Sequence, residues 1–237
     1  YVFPSIKEID EGCTCMGPMI RKDLLEELDL EVPETIDEWH YVLTALKENG
    51  VDVPLSWNFG DKGKTFGYAY GTPEGFVVDD GVCVYGPSKA EYKDYLTTMH
   101  QWYEEGLLDP DMFSGGEDQT NTKLASSKIG ATIAWAGGTL QTVNTLAKSE
   151  NPDFDLTAAK WPVLNKGDVP QYGFRKTQFY DGGIAIGGIC KDPVTAAKLL
   201  DYGYSEEGYM MFNFGEEGVS YTMEDGKPVY TDEILNN

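Results

Sequence analysis

The chain has 237 residues, and its 18 Lys and Arg stand against 40 Asp and Glu, which gives a formal net charge of −22. Nucleic acid and anionic membrane surfaces are disfavoured as partners, because a polyanion is bound through clustered cations and the sequence has no Lys/Arg-rich segment. Disorder is disfavoured as well, since 41% of the residues are hydrophobic and 13% aromatic. No apolar run approaches the roughly 20 residues that span a bilayer, so we expect no membrane insertion of this chain.

Helix and strand signals alternate along the sequence. A capping box at Thr35 and Glu38 opens a run with apolar residues at helical spacing, which ends near position 50. A second box, at Ser88 and Glu91, opens a similar run that ends near position 106. Both runs predict amphipathic helices.

The later segments predict short strands, two further helices and a hairpin. The strand candidates are residues 130–135, 154–158 and 183–187. Asp192 and Pro193 start a helix in the cap-then-proline pattern, and a further helix covers residues 205–214. Asp225 and Gly226 have the pattern of a tight hairpin turn. Interleaved strands and helices predict an α/β fold.

Motifs that carry catalysis or metal binding are incomplete. Residues 60–65 end like a phosphate-binding loop, but Asn58 stands where that loop needs a glycine. Asp109 begins a segment that resembles a calcium loop, yet Phe113 occupies a ligand position and Ser114 replaces the required glycine. The sequence therefore predicts no catalytic residues, no cofactor and no metal site.

Four cysteines are too few for a disulfide scaffold at this length. Cys13 and Cys15 are one residue apart, too close for an easy mutual bridge, and we expect them to be free. Cys83 and Cys190 lie in strand-like runs and are predicted to be packing residues.

Several aromatic residues lie outside the predicted helical faces, near loops or strand ends. They are Trp57, Trp135, Trp161, Tyr68, Tyr70, Tyr172 and Tyr180. An aromatic face offers a flat platform to the C–H surface of a sugar ring, and neighbouring Asn, Asp and Arg side chains can bond to its hydroxyls. As a set these residues favour a carbohydrate or a similar polar ligand. For any single one of them, filling of the core is an equal alternative.

Five segments, in this order, resemble extracellular solute-binding proteins of the maltose-binding type, the ligand-capturing components of ABC importers. They are Met-Ile-Arg-Lys-Asp-Leu-Leu at 19–25, Pro-Glu-Thr-Ile-Asp-Glu-Trp at 33–39, Gly-Leu-Leu-Asp-Pro at 106–110, Ser-Ser-Lys-Ile-Gly-Ala at 126–131, and the helix at 191–202. The resemblance spans about residues 19 to 223, and it is closest to the large lipoprotein branch of Gram-positive bacteria. Each motif is weak alone, whereas the ordered series is specific.

The resemblance implies a periplasmic-binding-protein-like type II fold, with a mixed sheet flanked by helices. Residues 15–178 would form the second lobe of a two-lobe protein whose first lobe is absent from this chain. Residues 1–14 and 179–237 would supply the strands that cross between the lobes, with helices and a hairpin that face the missing lobe. The full-length protein would be extracellular, anchored to the cell surface by a lipid, and would deliver its ligand to ABC permease subunits.

The resemblance also places residues in a ligand cleft. Those at matching positions are Trp57, Asn58, Phe59, Trp135, Tyr180, Gly182 and Gly183. Asp61 and Arg175 are added for their side-chain chemistry and their closeness in sequence. Arg21 is a weaker candidate, because an arginine before a helix can simply hold its loop in place.

The resulting hypothesis is a non-catalytic carbohydrate-binding lobe, with an oligosaccharide as the expected ligand. Two alternatives remain open at this point. The first is a glycoside-active enzyme domain that uses paired carboxylates, one of them with a raised pKa. The second is a peptide-binding surface lobe of the same fold.

Overall fold

The computed structural model describes residues 2–6, 16–58, 65–114, 116–174 and 179–235. The strands are β1 (Val2–Ile6), β2 (Met16–Arg21), β3 (Val53–Ser56), β4 (Phe76–Asp79), β5 (Val82–Tyr85), β6 (Ile129–Trp135), β7 (Leu156–Ala158), β8 (Phe179–Ala185), β9 (Tyr221–Glu224) and β10 (Lys227–Tyr230). The α-helices are α1 (Lys22–Glu27), α2 (Ile36–Glu48), α3 (Glu91–Glu104), α4 (Glu117–Ala125), α5 (Gln141–Lys148), α6 (Pro193–Tyr202), α7 (Glu206–Phe214) and α8 (Asp232–Leu235). The chain divides into two compact units, a larger one of residues 10–176 and a smaller one of residues 1–9 and 177–237.

The larger unit is built on a mixed four-stranded sheet with the order β3-β6-β2-β7. β6 pairs in parallel with β3 and antiparallel with β2, and β2 pairs antiparallel with β7. The carboxyl ends of β3, β6 and β7 therefore meet the amino end of β2 at one edge of the sheet. This edge positions the candidate site.

An aromatic core packs between the sheet and its helices. Phe66, in a 3₁₀ turn after β3, lies with its ring centroid 5.0 Å from Trp39, 6.0 Å from Trp57 and 5.9 Å from Trp102. All four side chains are buried. These four rings bury a large apolar area, and this burial is the main contribution of the cluster to the stability of the fold.

The two predicted capping boxes have different outcomes. Thr35 accepts from the Glu38 amide, and the Glu38 carboxylate accepts from the Thr35 amide, so the first box is confirmed. The second box is wrong, although the helix it was meant to open is present as α3. Ser88 lies in a 3₁₀ turn and donates its hydroxyl to the Tyr85 carbonyl at 2.7 Å, so it does not cap α3, which begins after Ala90.

The cysteine predictions also need correction. Cys83 lies in β5 as expected, but it is exposed rather than packed, because the β4–β5 hairpin leaves that face of the pair open to solvent. Cys190 is half-buried and lies after β8 rather than in a strand. Neither forms a disulfide. Cys13 and Cys15 lie outside the described residues.

The smaller unit contains the antiparallel β1–β8 pair, α6, α7, α8 and the β9–β10 hairpin. Asp192 caps α6 by accepting from the Thr195 amide, with Pro193 at the first helical position. The hairpin turn has φ of +50° at Asp225 and +77° at Gly226, the left-handed conformations that this turn requires. The predictions for α6, α7 and this hairpin are confirmed. None of the helices in the described ranges is long and apolar enough to cross a bilayer.

A buried carboxylate joins three elements of the larger unit. Asp109 accepts from the Ser56 hydroxyl at 2.8 Å, and Lys123 on α4 donates to its two oxygens at 3.1 and 2.9 Å. Burial raises the pKa of the Asp109 carboxyl, but the hydrogen bonds from Lys123, the Asp111 amide and Ser56 outweigh this and hold it below its usual value. The ionised form of Asp109 therefore stabilises the fold.

We expect Asp109→Asn to lower the free energy of unfolding at pH 7 by about 1–3 kcal/mol, because it leaves Lys123 without its buried partner. The folded pKa of Asp109 lies below the unfolded one, so its contribution is present above the unfolded pKa and is lost as the pH falls through the folded pKa. The difference between the two proteins should thus shrink in acid, as urea denaturation at pH 7 and pH 3 would show. The control is Asp111→Asn, whose side chain is 58% exposed and which should cost under about 1 kcal/mol.

Candidate ligand-binding site

Tryptophans follow two of the strands that end at the shared edge of the sheet. Trp135 is the last residue of β6, and Trp161 follows β7 by three residues. Both residues are half-buried, so neither is fully enclosed in the core. We call Trp135, Trp161, Tyr68 and Phe174 the aromatic edge.

Close ring contacts hold the aromatic edge together. Phe174 meets Trp135 edge-to-face at 5.1 Å, and Tyr68 meets Trp161 in the same way at 4.9 Å. Gly173 lies against Trp161, since a Cβ added there would stand 3.2 Å from the indole Cδ1. Residues 173–174 thus contact both tryptophans in turn. Because the rings are fixed by packing, they form a preorganised apolar surface.

Trp57 needs a correction. It was expected to present its ring to a ligand, but its side chain is fully buried and stacks on Phe66 at an interplanar angle of 18°. A ring without exposed surface cannot stack on a ligand, so Trp57 belongs to the core, the alternative that its sequence context left open. Asn58, the next residue, is half-buried. Phe59 and Asp61 lie outside the described residues.

The remaining predicted site residues belong to β8 or precede it. Gly182 is exposed and has φ of +151°, a conformation that favours glycine. Gly183 has a packing role, since a Cβ there would meet Val2 and stand 2.8 Å from the Phe3 carbonyl oxygen. Tyr180 pairs with Ser5 through the β1–β8 ladder. Arg175 and the Tyr180 side chain lie outside the described part of the chain, so the assignment of these four residues to a site stays a prediction.

Arg21 has a structural role. Its side chain is buried, its Nε donates to Asp23 at 2.7 Å and its Nη2 forms an ion pair with the same carboxylate. The guanidinium carbon lies 4.1 Å from the centroid of Phe154. These contacts anchor the start of α1, so Arg21 does not contribute to a ligand site.

Within the described ranges, Glu74 is the carboxyl whose pKa is raised. Burial raises its pKa from 4.5 to about 7, and a hydrogen bond with Thr65 partly opposes the rise. A glycoside-active site would need a second carboxyl facing the first. No carboxylate contributes to the rise at Glu74, which burial explains. The described residues also contain no group of three or more His, Cys, Asp and Glu side chains placed to hold a metal ion.

The aromatic edge was only partly predictable. Trp161 and Tyr68 were among the aromatic residues outside helical faces, but nothing assigned them to the site, and Phe174 was missed. The signal that could have found Trp161 is its place just after a strand, as for Trp135. Phe174 has no such signal, because it reaches Trp135 through a loop that belongs to no regular element.

The mixed sheet flanked by helices is a fold of the type II periplasmic-binding-protein-like class. Residues 16–210 match the family described as bacterial extracellular solute-binding protein, and the chain belongs to this family. Its relatives include Lipoprotein LipO of Bacillus subtilis, which is 26% identical over 94% of this chain and 46% of its own length. The fructooligosaccharide ABC transporter substrate-binding protein FusA of Streptococcus pneumoniae is 28% identical over 92% of this chain and 42% of its own length.

Solved structures agree with this assignment. The alginate-binding protein AlgQ2 superposes with a TM-score of 0.71 and 27% identity, over 100% of this chain and 50% of AlgQ2. FusA in complex with kestose gives a TM-score of 0.68 with 23% identity, over 98% of this chain and 50% of FusA. The chain therefore spans about half the length of the relatives it matches. The expected fold class is confirmed.

The placement of Trp57 predicts a large stability loss when it is truncated. Trp57→Ala should lower the free energy of unfolding by about 3–5 kcal/mol, because it removes a fully buried ring from a packed core. Urea denaturation measures this. Tyr41→Ala is the matched control, since Tyr41 is 65% exposed and its loss should change stability by about 0.5 kcal/mol or less. A loss at Trp57 no larger than at Tyr41 would contradict the core assignment.

The raised pKa of Glu74 predicts that its contribution to the free energy of unfolding depends on pH with the opposite sign to that of Asp109. Its folded pKa of about 7 lies above the unfolded value, so its contribution is full below pH 4.5 and is lost as the pH rises through 7. Because the Glu74 side chain is only half-buried, solvent screening limits the loss to about 1–2 kcal/mol. Replacing the carboxyl by an amide in Glu74→Gln should remove this slope from urea denaturation curves recorded between pH 5 and 8.

The control for Glu74 is Glu104→Gln, because the Glu104 side chain is 68% exposed. It should keep the slope of the unchanged protein. Identical slopes for Glu74→Gln and the unchanged protein would refute the buried, neutral state of Glu74.

Proposed function

We propose that this chain is the ligand-capturing part of an ABC importer and that it binds a carbohydrate, specifically an oligosaccharide, without making or breaking bonds. The observation that carries the proposal is the aromatic edge. Trp135 and Trp161 lie half-buried at the sheet edge where three strands end. Flat apolar rings with polar neighbours match a sugar, whose ring carries C–H groups on its faces and hydroxyls at its rim.

The family relationship supports the same ligand class. FusA is described as a fructooligosaccharide-binding protein, and it covers nearly the whole of this chain in sequence and in structure. A further structural neighbour, from Bacillus licheniformis, is a sugar transporter in complex with stachyose. By this proposal the protein functions because its closed state binds the ligand more tightly than its open state does.

The proposal includes a larger protein around this chain. Residues 15–178 would be the second lobe, with strands from residues 1–14 and 179–237 crossing to the first lobe. Helices α6 and α7 expose several large apolar side chains, among them Leu199 and Phe212, each 64% exposed. Apolar surface of this kind marks an interface, and we propose that the first lobe, which is missing from this chain, covers it. The full-length protein would be extracellular and lipid-anchored like LipO, and would dock on permease subunits.

The enzymatic alternative has one observation in its favour, the raised pKa of Glu74. Burial accounts for that shift, and paired carboxylates are what the alternative requires. We therefore propose a non-catalytic protein. Incubation of the full-length protein with oligosaccharides, followed by chromatography of the sugars, should show them intact. Cleavage that Glu74→Gln abolishes would favour the enzyme.

Isothermal titration calorimetry of the full-length protein against a panel of oligosaccharides tests the binding function. Trp135→Ala and Trp161→Ala should each cost about 1–3 kcal/mol of binding free energy, because each removes a stacking platform. Tyr41→Ala, an exposed aromatic on α2, is the control and should leave the affinity unchanged. No heat with any glycan, or heat with peptides only, would overturn the carbohydrate proposal.

A further inference from the structure

A polar cavity of about 460 Å³ opens within the larger unit, beside the aromatic edge. Its volume lies in the range of roughly 300–1,000 Å³ that small-molecule sites occupy. Tyr68 and Tyr70 contribute aromatic surface to its lining, and Asn165, Asp168 and Gln171 contribute polar groups. Aromatic surface together with amide and carboxylate groups is the combination that recognises a sugar ring.

The cavity and the aromatic edge share their walls. Tyr68 lines the cavity and also contacts Trp161 edge-to-face at 4.9 Å. Gln171 lines the cavity, and two residues later Gly173 lies against Trp161. Tyr68 and the segment 171–173 therefore connect the cavity lining to Trp161.

The polar groups of the cavity are held in place before any ligand arrives. Asn165 and Asp168 belong to one tight turn, in which the Asp168 amide donates to the Asn165 carbonyl at 3.1 Å and the Asn165 side chain donates to the Asp168 carboxylate at 3.0 Å. Gly167 supplies the left-handed residue of this turn, with φ of +93°. Tyr70 donates its hydroxyl to Thr98 at 2.7 Å, which fixes its ring. Such preorganisation lowers the entropy cost of binding.

The charges at the cavity indicate which sugars it accepts. Glu91 and Asp168 place two carboxylates on its lining, and Lys89 one cation. Lys89 already lies 3.8 Å from the carboxylate of Asp79. A uronic acid would bring a further carboxylate next to Glu91 and Asp168, and like charges at short range repel. Neutral hydroxyls can donate to the same two carboxylates instead.

We infer that this cavity is a second sugar subsite, which binds a further ring of a neutral oligosaccharide and disfavours uronic acids. The inference rests on the proposed function, since it requires a carbohydrate on the aromatic edge. The inference adds that the affinity grows with the length of the oligosaccharide. It also implies that binding of the two ends of the sugar depends on different residues.

The test uses calorimetry on the full-length protein with ladders of one to four units built from fructose, glucose or galactose. Within the ladder that binds, affinity should rise with length. Asn165→Ala and Gln171→Ala should each weaken the longer members by about 3- to 10-fold, as expected for a lost hydrogen bond, and leave the single sugar unchanged. Gln101→Ala, an exposed amide on α3 away from the cavity, should change none of them.

Charge selection is tested with oligogalacturonates of one to four units. They should bind at least about 10-fold more weakly than neutral sugars of equal length, and the double variant Glu91→Gln/Asp168→Asn should narrow that ratio, more so at low salt. Tighter binding of the uronates, or a ratio that the double variant leaves unchanged, would overturn the selection.

The possible failures can be told apart. If neutral oligosaccharides bind but Asn165→Ala and Gln171→Ala, both folded by circular dichroism, leave every affinity unchanged, the subsite is refuted and the proposed function stands. If no sugar of any length binds, the proposed function fails and the subsite with it.

Discussion

The pairing of β6 is the constraint on which the rest of the larger unit depends. β6 bonds in parallel to β3 on one side and antiparallel to β2 on the other, and β2 in turn bonds to β7. This arrangement sends the residues after β3, β6 and β7 to the same edge of the sheet. Packing then decides how the tryptophans at that edge are buried. Trp57 is fully buried and stacks on Phe66, whereas Trp135 and Trp161 are only half-buried.

Asp109, which is buried, and Glu74, which is half-buried, show that the surroundings of a carboxyl decide whether its pKa falls or rises. Asp109, in the segment after α3, accepts from Ser56 at the end of β3 and from Lys123 on α4, so its ionised form links these two elements. At Glu74 burial is the largest influence, and it favours the neutral form. The net charge of −22 says nothing about either carboxyl, since both states are set by neighbours within a few ångströms. The net charge acts at the protein surface, where repulsion between like charges favours solubility.

Local signals in the sequence predicted local structure well and the site only in part. The Thr35–Glu38 box forms because both partners lie within one helical turn. Ser88 does not cap a helix, because its hydroxyl donates to the Tyr85 carbonyl three residues earlier. Trp57 and Trp135 have equivalent sequence contexts, each at or just after a strand end. Their difference in burial comes from Phe66 and Trp102 in one case and Phe174 in the other. Such contacts across the fold leave no local pattern, which is also why Phe174 was missed.

Three of the five tryptophans, Trp39, Trp57 and Trp102, are buried in the core, and by the proposed function the other two, Trp135 and Trp161, meet the ligand. Fluorine NMR of the full-length protein labelled with fluorotryptophan, with each resonance assigned by a Trp→Phe variant, tests this division directly. On titration with a bound oligosaccharide, the resonances of Trp135 and Trp161 should shift, while those of Trp39, Trp57 and Trp102 stay in place. A shift at Trp57 with none at Trp135 and Trp161 would contradict the account.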